Sequence, residues 1–190
     1  NGNEVGSFSA VNEGTGAIEF RNIRDGLTLG RVYQEGSDDV VLHTTGGLTV
    51  TDEIRTAGRV DLTAFGRIEQ TGEGKVLADA LNLSSVGGQV LTGANSVREF
   101  ASENEGGGAI EFENRYGGLV TVAYVRQHNG GDITVNNYDG DLALGGDVTT
   151  ANDVTVRNSL GSLLVAGARS ARGNIDIETG GSVSPRDALA

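Results

Sequence analysis

Carboxylates are the most abundant side chains in this sequence that could do chemistry. The chain holds 26 Asp and Glu residues against 14 Lys and Arg, and close acidic pairs could serve as acid and base in glycoside cleavage or as oxygen ligands of Ca²⁺. The pairs are Asp38-Asp39, Asp52-Glu53, Glu103/Glu105 and Glu111/Glu113. Because so many acidic residues produce such pairs by chance, and the basic residues form no cluster beside them, we interpret the pairs as solvated surface groups.

Histidine and glycine motifs predict no stronger site. His43 and His128 stand alone, without Cys and without H-x-x-H spacing, which predicts turn or outward positions for both. Gly106-Gly107-Gly108 is followed by neither a lysine nor a helix start, so it indicates a turn and not a phosphate site. The Gly-Ser dipeptides lack the strand-turn-helix context of a hydrolase nucleophile. We therefore predict no catalytic, metal or cofactor-binding residue and no cofactor.

Composition excludes several classes of partner. The formal net charge is −12, so no basic stripe is available to neutralise phosphates, and neither nucleic-acid binding nor attraction to anionic lipid is expected. No apolar run approaches the roughly 20 residues of a membrane span. Cys and Met are both absent. We expect an internal segment of a larger protein, with any secretion signal outside it and with repetition in place of disulfides.

Internal repetition is the strongest signal in the sequence. The segment VNEGTGAIEFRN at 11–22 reappears as ENEGGGAIEFEN at 103–114, a displacement of 92 residues. The correspondence continues through Gln34 and Gln127 with a displacement of 93. We predict one solenoid segment over residues 1–190, with super-repeat 1 at about 11–102 and an incomplete super-repeat 2 at about 103–190.

A finer period runs inside each super-repeat, as apolar-polar-apolar triplets typical of half-buried strands. The most regular series is Ile18/Phe20, Val40/Leu42, Val60/Leu62, Leu81/Leu83, Ile110/Phe112, Ile133/Val135, Val154/Val156 and Ile175/Ile177. A second series is Leu27/Leu29, Leu48/Val50, Ile68, Val90-Leu91, Leu119/Val122, Leu142/Leu144, Leu163/Val165 and Val183. A third, weaker series is Val32, Ile54, Val76, Val97, Val125 and Val148.

Three short strands recur in each coil, and they predict an all-β fold, a right-handed parallel β-helix with three sides. Gly, Asn, Asp and Ser separate the triplets, as turns require. If the first series is one face of about eight coils, its 29-residue step from Leu81 to Ile110 predicts a longer coil near residues 81–109. Phe100, which matches Phe8, should fill a corner of the core. On that face, no two carboxylates occupy consecutive outward positions, which avoids repulsion between neighbouring strands.

These residues also resemble a known family. The strings GAIEF, GLTV, GRVDLTAFGRIEQTGEGKVLADALNLSS, GANSV and GGDITV are similar to the degenerate repeats of filamentous-haemagglutinin-type exoproteins of two-partner secretion systems, and the resemblance covers nearly the whole chain. It implies a long right-handed β-helix, displayed on the bacterial surface or secreted through an outer-membrane β-barrel partner. The family's secretion domain and any recognisable receptor motif, such as RGD, are absent from these residues.

Two functions remain open from the sequence. The first is a structural or adhesive stalk, not an enzyme, whose partners are further repeats of the same chain, lateral or end-to-end copies, and a host or neighbouring-cell receptor or glycan. The alternative is a polysaccharide-active parallel β-helix enzyme, a lyase or hydrolase, because such enzymes share the architecture. We favour the stalk, because an enzyme breaks its repeat where the site is built and this chain repeats its coils almost unchanged.

Overall fold

Parallel β-strands make up the regular structure of the chain. The computed structural model describes residues 2–167, 169–170 and 172–185, and over these residues every paired strand runs parallel and no helix occurs. The strands belong to coils that lie one above another, so the predicted all-β parallel solenoid of about eight coils is confirmed. Within the described part of the chain, no helix could span a membrane.

The strands are mostly short, with longer ones where a strand bends from one side to the next. In chain order they are β1 (Ser7–Asn12), β2 (Ile18–Asn22), β3 (Gly26–Gln34), β4 (Val40–Thr44), β5 (Gly47–Val50), β6 (Glu53–Arg55), β7 (Arg59–Ala64), β8 (Ile68–Gln70), β9 (Lys75–Ser85), β10 (Gln89–Leu91), β11 (Ser96–Asn104), β12 (Ile110–Asn114), β13 (Val120–Gln127), β14 (Ile133–Asn137), β15 (Leu142–Leu144), β16 (Val148–Thr150), β17 (Val154–Asn158), β18 (Leu163–Val165), β19 (Arg169–Ser170), β20 (Ile175–Thr179) and β21 (Val183–Pro185).

Three columns of paired strands define the sides of the solenoid in the first super-repeat. We name them stack A (β2, β4, β7 and residues 80–85 of β9), stack B (residues 26–29 of β3, then β5, β8 and β10) and stack C (residues 32–34 of β3, then β6 and residues 75–77 of β9). Neighbouring strands of each stack are equivalent segments of successive coils. The three-sided cross-section expected from the sequence is therefore present in this half of the chain.

The stacking of the most regular triplet series differs from the prediction at its middle. Leu81 of stack A pairs with Phe100, not with Ile110. Ile110 pairs instead with Gln89, and so β12 continues stack B. The series is therefore not one face of eight coils: its first four members lie in stack A and its last four in stack B.

The change of stack explains the 29-residue step. Stack A runs from Leu81 to Phe100 and stack B from Gln89 to Ile110, and each of these passages is one ordinary coil. The step from Leu81 to Ile110 is longer because it joins positions on two different sides. Residues 81–109 therefore do not form one longer coil. They comprise one coil of ordinary length and the connection from stack A to stack B.

The two super-repeats therefore present the same pattern on different sides. In super-repeat 2 the strands β12, β14, β17 and β20 occupy stack B, and stack A is continued by the bent strand β13. Each super-repeat spans four coils plus part of a fifth. The same sequence pattern therefore returns on the next side of the solenoid and not on the side where it began. On the outer face at the junction, Glu111 lies between Val90 and Thr134, so no second carboxylate stands directly above or below it.

Inward side chains form a continuous apolar core along the axis. Val40, Val60 and Leu81 are fully buried and follow one another in stack A. One predicted inward residue is wrong by a single position, since Leu119 is 50% exposed while Val120 is buried. Alternation across a strand leaves only one of two adjacent residues inside, and a pair of adjacent apolar residues does not show which.

Aromatic pairs lie at matching places in the two super-repeats. The rings of Phe8 and Phe20 lie face to face with centroids 4.1 Å apart, and those of Phe100 and Phe112 repeat the arrangement at 3.9 Å. Phe100 is fully buried, which confirms that it belongs to the core. Each pair joins a stack A strand to a stack B strand, so the rings fill the space between two sides of the solenoid.

Buried amides continue the ladder where the strands of stack B end. Asn114 donates through Nδ2 to Oδ1 of Asn137 at 3.3 Å, and Asn137 donates in the same way to Asn158 at 2.9 Å. All three are almost fully buried. Since a buried amide without partners costs about 1 to 3 kcal/mol, vertical pairing lets these polar side chains occupy the interior of a corner.

The core position Val60 offers a direct test of which residues face inward. Val60→Asp would bury an unpaired carboxylate between Val40 and Leu81, at a cost of several kcal/mol. Asp61→Val removes only surface hydrogen bonds with Arg59 and Asn82 and should cost less than about 1 kcal/mol. Urea unfolding measures both, and equal losses of stability would contradict the assignment.

The stacking at the junction can be tested by cross-linking, because the natural chain has no Cys. Ser84 pairs directly with Glu103, and adjacent strands bring paired Cα atoms within disulfide range. We expect Ser84→Cys/Glu103→Cys to form an intramolecular disulfide under mild oxidation. The matched variant Ser84→Cys/Glu113→Cys, which uninterrupted stacking of the triplet series would place in contact, should stay reduced; the opposite result would refute the change of stack.

Candidate functional site

The acidic pair nearest the N-terminal end is occupied by structural contacts between coils. Asp38 accepts from the backbone N–H of Gly16 at 3.0 Å, and Asp39 accepts from the backbone N–H of Arg59 at 3.0 Å. The guanidinium of Arg59 also bridges Asp39 at 3.1 Å and Asp61 at 3.0 Å. These carboxylates hold turns and neighbouring coils in place, which agrees with their interpretation as surface groups.

Other acidic side chains pair with a base about one coil away in the sequence. Glu53 contacts Lys75 at 3.2 Å, and Asp79 accepts two hydrogen bonds of 2.7 Å from Arg98. Those hydrogen bonds hold the pKa of Asp79 below its ordinary value, the direction opposite to that needed by a general acid near neutral pH. Lys75 and Arg98 thus each pair with one acid of another coil.

Glu111 and Glu113 lie on the outer face of β12 and have different neighbours. Glu111 stands between Val90 and Thr134 of the neighbouring coils. Glu113 lies near Tyr138, whose pKa is raised by burial and also by this carboxylate. The guanidinium of Arg115 covers the Tyr138 ring, with its carbon 4.2 Å from the centroid, a cation–π contact.

His43 lies on the outer side of β4, as predicted. It contacts the ring of Phe65 edge to face, with centroids 6.1 Å apart. Partial burial lowers the pKa of His43, and the charge of Arg21 on the neighbouring strand lowers it further. Among the described residues no carboxylate ion-pairs with His43, so this imidazole is a neutral surface packing group at neutral pH.

His128 lies at an exposed turn directly after β13, one of the positions that the sequence predicts for it, and two glutamates lie close to it. Its Nε2 lies 2.9 Å from Oε1 of Glu103 and 3.8 Å from Oε1 of Glu105. One ligand atom from each residue fits within 4.8 Å of the others. We call these three residues the EEH cluster. The structure thus joins one of the predicted acidic pairs to a histidine from the next coil.

Sequence spacing did not reveal the EEH cluster, because both glutamates lie on one coil and the histidine lies on the next. The side chains of Glu103 and His128 come together only because β11 pairs with β13, which places Asn104 beside Gln127. The sequence signal that could have found them is the super-repeat alignment: Glu103, Asn104 and Gln127 correspond to Val11, Asn12 and Gln34. The spacing of residues within a single strand could not have identified the cluster.

Shallow depressions also mark the outer surface. One of about 310 Å³ lies over stack A and is lined in part by Asp61, Asn82, Glu103 and Tyr124. Another of about 440 Å³ lies beside the Asp79 carboxylate and is lined in part by Arg55 and Ser96. Both are open to solvent, and Asp61 in the first is already engaged by Arg59 and Asn82.

Comparison with known proteins gives no relative: no protein-family model, no curated protein and no solved structure matches this chain.

Proposed function

We propose that this chain is a stiff stalk segment of a large bacterial surface or secreted protein, and not an enzyme. The observation that carries the proposal is the uninterrupted coil. Strands remain paired from β1 to β21 across the junction between the super-repeats, and the coil keeps nearly the same length while the repeat pattern moves to another side. Such a structure adds length in proportion to the number of repeats, because each coil contacts only its neighbours.

The surface favours a structural role as well. Charged side chains are used to tie coils together, as in Arg157, which contacts Asp176 at 3.4 Å and Glu178 at 2.8 Å on the next coil. Individually these exposed ion pairs contribute little, with typical values of about 0 to 1 kcal/mol. Their repetition along the axis favours one vertical alignment of coils over slipped alternatives.

The resemblance to filamentous-haemagglutinin-type repeats supports the location of the stalk. It suggests export through an outer-membrane partner, display at the cell surface, and continuation into further repeats of the same chain. A receptor or glycan would be bound by the parent protein, and lateral or end-to-end association of copies would build a filament. The proposal includes neither nucleic-acid binding nor membrane insertion, in agreement with the net charge of −12.

The stalk proposal can be tested by lengthening the rod. Duplication of residues 11–102 in tandem should give a folded protein that is longer by about 20 Å with an unchanged cross-section, since neighbouring coils are about 4.8 Å apart. Small-angle X-ray scattering measures both dimensions. Duplication of residues 11–92 is the matched control, because it breaks the super-repeat alignment and should misfold; failure of the 11–102 duplication to extend the rod would refute the proposal.

The enzyme alternative makes the contrary prediction on polysaccharides. Incubation of the folded chain with pectin, polygalacturonate and other acidic or neutral polysaccharides should release no new reducing ends and no unsaturated products. Asp61 is paired with Arg59, and Glu103 lies beside His128. Turnover that is lost in Asp61→Asn or Glu103→Gln, with circular dichroism unchanged, would make the chain an enzyme.

A further inference from the structure

We propose that Glu103, Glu105 and His128, the EEH cluster, bind one Zn²⁺ ion between two adjacent coils. The proposal is independent of the stalk function and rests on the ligand types, their distances and the way the backbone holds them. Imidazole nitrogen and carboxylate oxygen are both zinc ligands, and three protein ligands leave a tetrahedral ion one open coordination position. The two negative charges of the carboxylates would balance the charge of the ion.

The distances suit a small tetrahedral ion. With Zn–N and Zn–O bonds of about 2.0 to 2.1 Å, ligand atoms around a tetrahedral Zn²⁺ lie about 3.3 Å apart. The Nε2 atom of His128 is 2.9 Å from one Glu103 oxygen and 3.8 Å from one Glu105 oxygen, and these two values bracket the required spacing. Side-chain rotations alone could therefore bring the three ligand atoms into place.

The backbone on both coils is fixed by a buried hydrogen bond beneath the cluster. Asn104, which stands between the two glutamates, is fully buried and donates through Nδ2 to Oε1 of Gln127 at 2.9 Å. Gln127 directly precedes His128. The Asn104 carboxamide also accepts from the Ser85 hydroxyl and from the Gly88 backbone N–H, so the inward residues lock the positions from which the outward ligands project.

Main-chain contacts complete the arrangement. The backbone N–H of His128 donates to the carbonyl of Asn104 at 3.0 Å, and that of Glu105 donates to the carbonyl of Ser85 at 2.9 Å. Glu103 lies within the parallel ladder between Ser84 and Arg126. Glu105 and His128 directly follow the ends of β11 and β13. Ligands whose backbone is held by supporting hydrogen bonds lose little freedom on binding a metal, which raises affinity.

Super-repeat 1 provides the same support without the ligand set. There Asn12 donates to Gln34 at 2.8 Å, the counterpart of the Asn104–Gln127 hydrogen bond. The flanking outward residues are Val11, Glu13 and Glu35, so one carboxylate is replaced by an apolar side chain and the imidazole by a carboxylate. The cluster is therefore a departure from the repeat, confined to outward positions that the fold leaves free to vary.

A bound ion would join neighbouring coils. Glu103 and Glu105 belong to the coil of β11, whereas His128 follows β13 on the next coil. Zn²⁺ that binds the folded chain but not the unfolded one stabilises it according to the ratio of free metal to the dissociation constant. We therefore expect Zn²⁺ to raise the thermal midpoint and to protect the segment around residues 103–128 from proteolysis.

The test is titration of the chain with Zn²⁺ by calorimetry in a weakly coordinating buffer, with Ca²⁺ as a comparison. We expect one Zn²⁺ per chain and no binding of Ca²⁺ at the same concentration, because hard cations prefer oxygen ligands and gain nothing from the imidazole. Glu103→Val and His128→Gln should each weaken Zn²⁺ binding at least tenfold. The valine substitution copies Val11 of super-repeat 1, so the fold should accept it.

Matched controls separate the EEH cluster from general surface binding. His43→Gln removes the other imidazole, and Glu13→Gln removes the super-repeat 1 counterpart of Glu105; both should bind Zn²⁺ as the natural chain does. Circular dichroism and the metal-free thermal midpoint report whether each variant is folded. Absence of stoichiometric Zn²⁺ binding, equal binding by His128→Gln, or equally tight binding of Ca²⁺ would each overturn the proposal and leave an ion pair in its place.

Discussion

The vertical hydrogen bonding of parallel strands is the constraint on which the rest of the structure depends. Each strand must find its partner one coil away, so the chain has to return to the same side at nearly constant intervals, as it does from Leu81 to Phe100 and from Ile110 to Ile133. Residues at equivalent positions of successive coils therefore stack directly on one another. An inward residue must suit the two residues above and below it, and for this reason the core contains columns of Val, Leu and Ile.

The same constraint explains how polar residues enter the interior. An isolated buried amide would be costly, but an amide that recurs in each coil finds its partner in the next one. Asn114, Asn137 and Asn158 form such a column at one corner. Asn104 and Gln127 form a shorter column of amides at another corner. These columns fix the vertical alignment more tightly than apolar contacts do, because a shift by one residue would break every hydrogen bond in them.

On the outer surface, vertical contact brings together side chains that are distant in the sequence. Some of these contacts pair an acid with a base, as in Arg98 with Asp79, and such pairs reduce the repulsion between negative charges along the solenoid. The EEH cluster, by contrast, brings metal-ligating groups of two coils together. It arises at an outward position where substitution has little effect on the core, and such positions are where a repeat protein can acquire chemistry without loss of its fold.

The sequence alone determined the parallel solenoid, the length of its coils and the two super-repeats, because strand triplets and turn residues are local patterns that recur at a fixed interval. It also placed His43 outward and Phe100 in the core. Only the tertiary structure decided that Ile110 continues stack B rather than stack A, and that His128 meets Glu103. The physical reason is that periodicity gives the number of residues in a coil but not the side on which a given strand lies. A strand with a given apolar-polar pattern fits any side of the solenoid equally well by its local sequence. The hydrogen bonds that it forms with the strands of neighbouring coils decide on which side it lies.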